Sequence, residues 1–385
     1  MPSLMLPAAG RTLAAYAMSA PRSFAVPTRP FPRVAYSAAH VVADPLADTD
    51  PWQRAAVDWD ATLAYRRHLW SLGLGVAEAM DTAQRGAGMD WPASLELIRR
   101  SLDAARDIPG AAIACGAGTD DLPDGPATLD AVIASYEMQC EAVERHGGRV
   151  ILMASRALAA AARGPADYLR IYGRILSQLR QPAILHWLGE MFDPALAGYW
   201  GAPGHAAALE TLLQVVAENA AQVDGVKLSL LDKAKEVAMR RRLPTGCRMY
   251  TGDDFDYAEL IAGDAQGHSD ALLGIFDVIA PAAAAALAAL GEGDAAGFHA
   301  ILAPTVPLSR HIFQAPTRFY KTGVVFSAYL NGHQSHFAMV GGQQSARSVR
   351  HLAELFKLSD QAGLLRDPEL ACARMRVVLE GYGVG

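Results

Sequence analysis

Lys227 is the residue whose position most needs a chemical reason. It stands inside the run "VDGVKLSLLD" (Val223 to Asp232), which has the length and apolar character of a buried strand. A charged ammonium there costs several kcal/mol unless it is paired, neutralised or used. Strand alternation sends Val226 and Leu228 to one face and Gly225, Lys227 and Ser229 to the other. Burial depresses an amine's pKa and leaves a lone pair for attack on a carbonyl carbon. The product is a Schiff base, and its protonated form is an electron sink into which a neighbouring C–C or C–H bond can break. That is the chemistry of aldolases, lyases and dehydratases. The plain structural alternative is a lysine paired with an interior carboxylate.

Other polar residues fall just beyond apolar runs. Thr82 and Arg85 follow "GVAEAM", the "TDD" of Thr119 to Asp121 follows "GAAIACG", His186 lies in "PAILHWL", and Gly252, Asp253 and Asp254 close "CRMYTGDD". Taken singly, each has an ordinary role: a helix cap, an exposed turn, a hydrogen-bonded core histidine. Taken together they suit one polar mouth around Lys227, with His186 as a proton relay near neutral pH. A second chemistry uses His40, Glu78, His186, Glu190 or Asp253 as ligands of a divalent ion in an isomerase or epimerase. A third reading is a barrel that binds its ligand without turnover.

These residues need elements to position them. Eight apolar runs, "RVAYSAAHV", "GVAEAM", "GAAIACG", "RVILMAS", "PAILHWL", "GVKLS", "CRMYTG" and "ALLGIFD", alternate with longer segments of helical period such as "WPASLELIRRSLDAAR". Eight such units over roughly 250 residues are expected to form a (β/α)₈ TIM barrel, in which catalytic groups gather at the C-terminal ends of the strands. A doubly wound dinucleotide-binding sheet competes, but in "GLGVAEA" the glycines precede the run instead of following it. The expected organisation is an N-terminal arm or hairpin over residues 1–32, a barrel over 33–290 and a C-terminal helical subdomain over 291–385. The arm could plug the barrel floor. In the C-terminal part, "TRFYKTGVVFSAYLNGHQSHF", with Arg318, Lys321, His333 and His336, is expected to be helix packing with an exposed polar loop, a contribution to the pocket lid being the alternative.

Composition narrows the function classes. The chain has 385 residues, 51% hydrophobic and 19% charged, with a formal net charge of -6, so an electrostatic nucleic-acid footprint is not expected. Cys115, Cys140, Cys247 and Cys372 are widely spaced, with neither a disulfide framework nor zinc-ligand spacing. No apolar stretch reaches the ~20 residues of a membrane span, and the first residues do not resemble a signal peptide. The expected compartment is the cytoplasm, with no membrane partner.

The chain resembles the dihydrodipicolinate synthase and N-acetylneuraminate lyase superfamily of class I aldolases over about residues 33–300. "VDGVKLS" is similar to that family's Gly-Ile-Lys strand with the Schiff-base lysine, "IACGAGTDDL" to its third-strand loop and "YTGDDFDYAELIAGD" to its Gly-Asp-Asp stretch. Thr82 matches the first hydroxyl residue of its carboxylate-binding Gly-Thr-Thr-Gly-Glu loop. The resemblance implies a TIM barrel, a lyase acting on a 2-keto acid or keto sugar acid through Lys227, no cofactor or metal, and a homo-oligomer, dimer or tetramer, with the C-terminal helices as the interface. The departures are specific. The second Thr is Ala83, and the Gly and Glu are Gln84 and Arg85, which makes Arg85 the candidate for the carboxylate. The family's strand-five tyrosine is matched by His186, so a role in lysine biosynthesis is not expected.

Overall fold

The computed structural model describes residues 1–123, 125–202 and 204–384. Its frame is a closed barrel of eight parallel strands: β3 (Ala35–Ala38), β4 (Gly75–Glu78), β5 (Ile113–Ala117), β6 (Arg149–Leu152), β7 (Ala183–Leu188), β8 (Val223–Ser229), β9 (Arg248–Thr251) and β10 (Asp270–Leu273). Each strand pairs with its sequence neighbour, and β10 returns to β3, so no sheet edge is left open. All eight overlap the runs named above, with β5, β8 and β10 extending one or two residues beyond them. Closure excludes the doubly wound sheet.

Between the strands lie helices whose starts are written locally. Asp58, Asp90 and Thr128 each accept a hydrogen bond from the backbone N–H three residues on, capping the helices Trp59–Ser71, Trp91–Arg106 and Leu129–Arg145. Strand parity divides the core in two. Tyr36, Ala38, Ala77, Ala114, Ile151, Ile184, Tyr250 and Leu272 fill the lumen. Val76, Leu185, Val226 and Leu228 face the helices in the larger outer core. At the N-terminal end of the barrel an ionic set ties strands together, with Arg149 on Asp224 at 2.7 Å and Arg248 on Asp270 at 2.8 Å.

The N-terminal segment is a hairpin of β1 (Ser3–Pro7) and β2 (Leu13–Ala17). It does not plug the barrel floor. It packs on the helices Val349–Gln361 and Pro368–Gly381, where the Tyr16 hydroxyl donates to Asp360 at 2.8 Å, because the buried face of β1 finds its apolar partners there.

Beyond the barrel, the helix Tyr320–Leu330 is buried along its whole length, as its apolar sequence "YKTGVVFSAYL" requires. It packs between the two C-terminal helices, the short helix Ile275–Val278 and the turn Asp81–Ala83 that follows β4. Thr317–Phe337 is thus helix packing followed by a partly exposed polar loop, with its start at the barrel mouth. Arg318 is exposed, whereas Lys321 is buried.

Candidate active site

Parity places Lys227 in the lumen near the C-terminal end of β8. Its register neighbours are His186 on β7 and Tyr250 on β9. The side chain is 6% exposed, and its Nζ makes no hydrogen bond among the described residues. Burial lowers its pKa, while the charges of Asp81 and Asp254 oppose that shift. Space for the lysine comes from Gly252, the first residue after β9. A Cβ at Gly252 would lie 2.3 Å from Ser229 Oγ, 2.8 Å from the Leu228 carbonyl and 3.0 Å from Lys227 Cε. The glycine in "TGDD" thus answers a steric demand made by the neighbouring strand.

Around Lys227 lie Asp81, Thr82, Ser229, Asp254 and Tyr320, enclosing a void of about 10 Å³, the room of roughly one water molecule. Asp254 is buried, its Oδ1 accepting the Ile275 N–H at 2.8 Å. Loss of solvation pushes its carboxyl up to about 7 despite Lys227 nearby. Tyr320 comes from the C-terminal helical layer. Its hydroxyl lies 2.9 Å from Thr82 Oγ1. Burial first, then the charge of Asp81, holds that phenol protonated well above its ordinary range, with the Thr82 hydrogen bond opposing. The next residue, Lys321, is also buried, with its pKa lowered by loss of solvation and the charge of Asp81 opposing. Asp81 is therefore the carboxylate common to two buried lysines.

His186 lies beside the lysine, with Nε2 3.1 Å from Ser229 Oγ and Nδ1 buried without a partner among the described residues. Burial, and then the charge of Lys227, holds its pKa well below the ordinary histidine range. The ring is therefore neutral at neutral pH, a proton acceptor and a poor acid. It borders a cleft of about 740 Å³ at the barrel mouth, also lined by Asp81, Leu188, Arg156, Asp193 and Ser155. Asp81 and Leu188 border both the cleft and the void, so the two spaces meet there.

Two residues expected to touch substrate are committed elsewhere. Arg85 lines the cleft, but Nε and Nη2 bind Asp120 at 3.0 and 2.6 Å, Nη1 binds the Gly116 carbonyl at 2.6 Å, and Nη2 also reaches Gln139. Its guanidinium clamps the loops after β4 and β5 together. Asp253 turns away from Lys227, accepting the Phe255 and Asp256 N–H groups at 2.8 and 3.0 Å, because a carboxylate at this point of the chain closes the local turn. Thr119 bonds Ser155 Oγ at 2.6 Å within the cleft wall.

The candidate metal ligands are dispersed. Glu78 is outward by parity and holds Arg66 at 2.8 Å against the helix layer, His40 is bound to Asp277 at 2.8 Å, and Glu190 is exposed. Among the described residues no three His, Cys, Asp or Glu side chains are grouped as a metal site. No helix of the described residues is long and apolar enough to cross a membrane.

Asp81 and Tyr320 line the void with Lys227 and were not singled out for it from the sequence, whereas Lys321 was named there in the segment that could contribute to the pocket lid. Asp81 carried the same signal as Thr82, a polar residue just beyond a strand. Tyr320 carried none beyond its place in a segment that could contribute to the lid.

Solved structures share this barrel at low identity. The prophage protein YagE of E. coli K12, of the dihydrodipicolinic acid synthase family and solved with pyruvate, is 12% identical with a TM-score of 0.66, covering 86% of this chain and 99% of that one. Dihydrodipicolinate synthase from Aquifex aeolicus gives 12%, 0.64, 86% and 99%. The chloride-inhibited enzyme from Acinetobacter baumannii with pyruvate gives 14%, 0.63, 86% and 99%. This chain thus shares the eight-stranded barrel fold of these structures. No curated protein sequence matches. Residues 4–384 match the family described as "Protein of unknown function (DUF993)", and the chain belongs to that family.

Proposed function

We propose that the protein is a class I lyase, an aldolase or dehydratase, acting on a 2-keto acid or keto sugar acid through a Schiff base on Lys227. The observation that carries this reading is the buried, hydrogen-bond-free Lys227 Nζ in a void shared with a protonated phenol and a near-neutral carboxyl. Pyruvate in two structures of the same fold agrees with a keto acid substrate class.

In the first step, free Nζ attacks the carbonyl carbon, and the oxygen takes a proton to give a carbinolamine. Loss of that oxygen as water, with a second proton, leaves the iminium. Breaking a C–H or C–C bond on the carbon next to the iminium carbon sends its electron pair into the enamine, and reprotonation of that carbon with hydrolysis returns the lysine. Tyr320 and Thr82, hydrogen-bonded in the wall of the same void, supply the proton path. Neutral His186, on the cleft side, suits a proton acceptor for a substrate hydroxyl. Asp254 biases the lysine's charge. With Arg85 buried against Asp120, the cation in the cleft wall that a substrate carboxylate would meet is the exposed Arg156, exchanging its partner Asp193 at 2.5 Å.

The test is reductive trapping with cyanoborohydride across a panel of 2-keto acids and keto sugar acids, followed by intact mass. A single adduct in the native protein that is absent from Lys227→Ala supports the reading. No adduct with any substrate that binds would instead favour a ligand-binding barrel without turnover.

A further inference from the structure

A second cavity, of about 210 Å³, shares no lining residue with the barrel mouth. It lies between the first barrel helix (Trp59–Ser71), the start of the helix Ala280–Gly291 and the C-terminal layer. Its charged lining residues are two guanidiniums, Arg22 and Arg366, and one carboxylate, Asp277. Arg22 and Arg366 are exposed at its rim, and among the described residues neither has a carboxylate within ion-pair distance. Inside are His68 and His333, their ring centroids 4.8 Å apart, with Tyr65 at 4.9 Å from His333. Neither imidazole makes a side-chain hydrogen bond among the described residues.

The lining carboxylate, Asp277, is already committed, accepting the His40 N–H and Nδ1, each at 2.8 Å, through Oδ2. Of the carbonyls nearby, Ala328 and Gly363 accept backbone N–H groups from His333 and Arg22. The helix Ala280–Gly291 begins at the cavity wall, and its N-cap Ile279 supplies no side-chain acceptor. Its dipole adds to the positive potential. Burial, then His68 and Arg366, hold His333 down to about 3, and burial, then Arg366, lower His68 against the opposing charge of Asp277.

We propose that this cavity binds a small oxyanion, a carboxylate or phosphate group, held by charge-assisted hydrogen bonds from Arg22 and Arg366 at the rim and by His68 and His333 beneath. The volume admits inorganic phosphate or a short dicarboxylate and excludes a polymer. The helix Tyr320–Leu330 reaches both places, with Tyr320 at the Lys227 void and Ser327 and Ala328 in the wall of this cavity.

The test is calorimetric titration of the full-length protein with sodium phosphate and with sodium malonate, against sodium chloride at matched ionic strength. Saturable one-site binding of either anion is expected, weakened roughly tenfold or more by Arg366→Gln and by His333→Gln and unchanged in Lys227→Ala. Binding of phosphate alone or malonate alone supports the site and identifies the group it takes. Should Arg366→Gln fail to fold, Arg22→Gln, at an exposed position, serves in its place. No saturable signal beyond chloride overturns the proposal. So does binding that survives in the folded arginine variant, or that is lost in Lys227→Ala, which would put the anion at the barrel mouth.

Discussion

The Tyr320 hydroxyl and Thr82 Oγ1 stand 2.9 Å apart across 238 residues of chain, on the wall of the void that holds Lys227. A helix outside the barrel thus delivers a phenol to the C-terminal mouth. Tyr320→Phe keeps the ring packing against Phe313, stacked at 4.5 Å, and removes the proton path. Turnover of any substrate found by trapping is expected to fall roughly 10²- to 10⁴-fold, with the thermal melt shifted little. Steady-state kinetics beside a melting curve check this, and wild-type turnover in the variant would remove Tyr320 from the mechanism.

Gly252 tests the space around the nucleophile. In Gly252→Ala the new methyl meets Ser229 Oγ and the Leu228 carbonyl, and backbone cannot yield as a flexible side-chain end can. Stability is expected to drop by about 1–3 kcal/mol, with Lys227 displaced and adduct yield reduced. Denaturant unfolding and trapped-adduct mass report the two effects separately. An unaffected adduct yield would mean that the lysine is not held by this contact.

Asp254 sets a pH limb. Its negative charge favours the Lys227 ammonium, so Asp254→Asn removes a charge that raises the lysine's pKa while burial still lowers it. Attack requires the free amine, and the acid limb of adduct formation is therefore expected to move to lower pH in the variant. Rates of trapping with pyruvate between pH 5 and 8 measure it. An unmoved limb would detach the carboxylate from the lysine's titration.

Glu236 gives a stability signature away from the chemistry. Buried against Thr251 and Ser269, whose hydroxyls donate to it at 2.9 and 2.7 Å, its carboxyl is pushed up to about 8, chiefly by loss of solvation. An unfolded glutamate titrates near 4.3, so between these values the folded state holds the extra proton. Stability from this group is full below about 4.3 and is lost as pH rises towards about 8. Glu236→Gln should flatten that decline, with a gain over wild type on the order of a few kcal/mol at pH 8.5 relative to pH 5. Melting curves at the two pH values decide it, and parallel curves would refute a protonated Glu236.

Glu78 separates structure from metal chemistry. Oε1 and Oε2 accept from Arg66 at 2.8 and 2.9 Å, and Ser101 donates to Oε2 at 2.6 Å. Glu78→Gln leaves a buried guanidinium without its counter-charge and is expected to cost about 3–5 kcal/mol. Denaturant titration reads the loss. A variant as stable as wild type would show that the pair is not a support of the barrel wall.

Local periodicity determined much of this protein. Runs of five to nine residues marked all eight barrel strands, and the two-residue repeat of β8 alone turned Lys227 inward, because successive side chains on a strand leave opposite faces. The same parity, applied to β4, removes Glu78 from the lumen. Tertiary structure decided which polar groups around the lysine are free. Arg85 and Asp120 meet only because β4 and β5 are adjacent in the closed barrel, and their pairing commits the guanidinium first considered for substrate. His186 stands beside Lys227 as alternation requires, but its neutrality follows from burial and a neighbouring charge, which a one-dimensional pattern does not carry. Tyr320 reached the site through the packing of an all-round apolar helix, and a helix apolar on every side has no periodicity to say which face, or which end, meets the barrel.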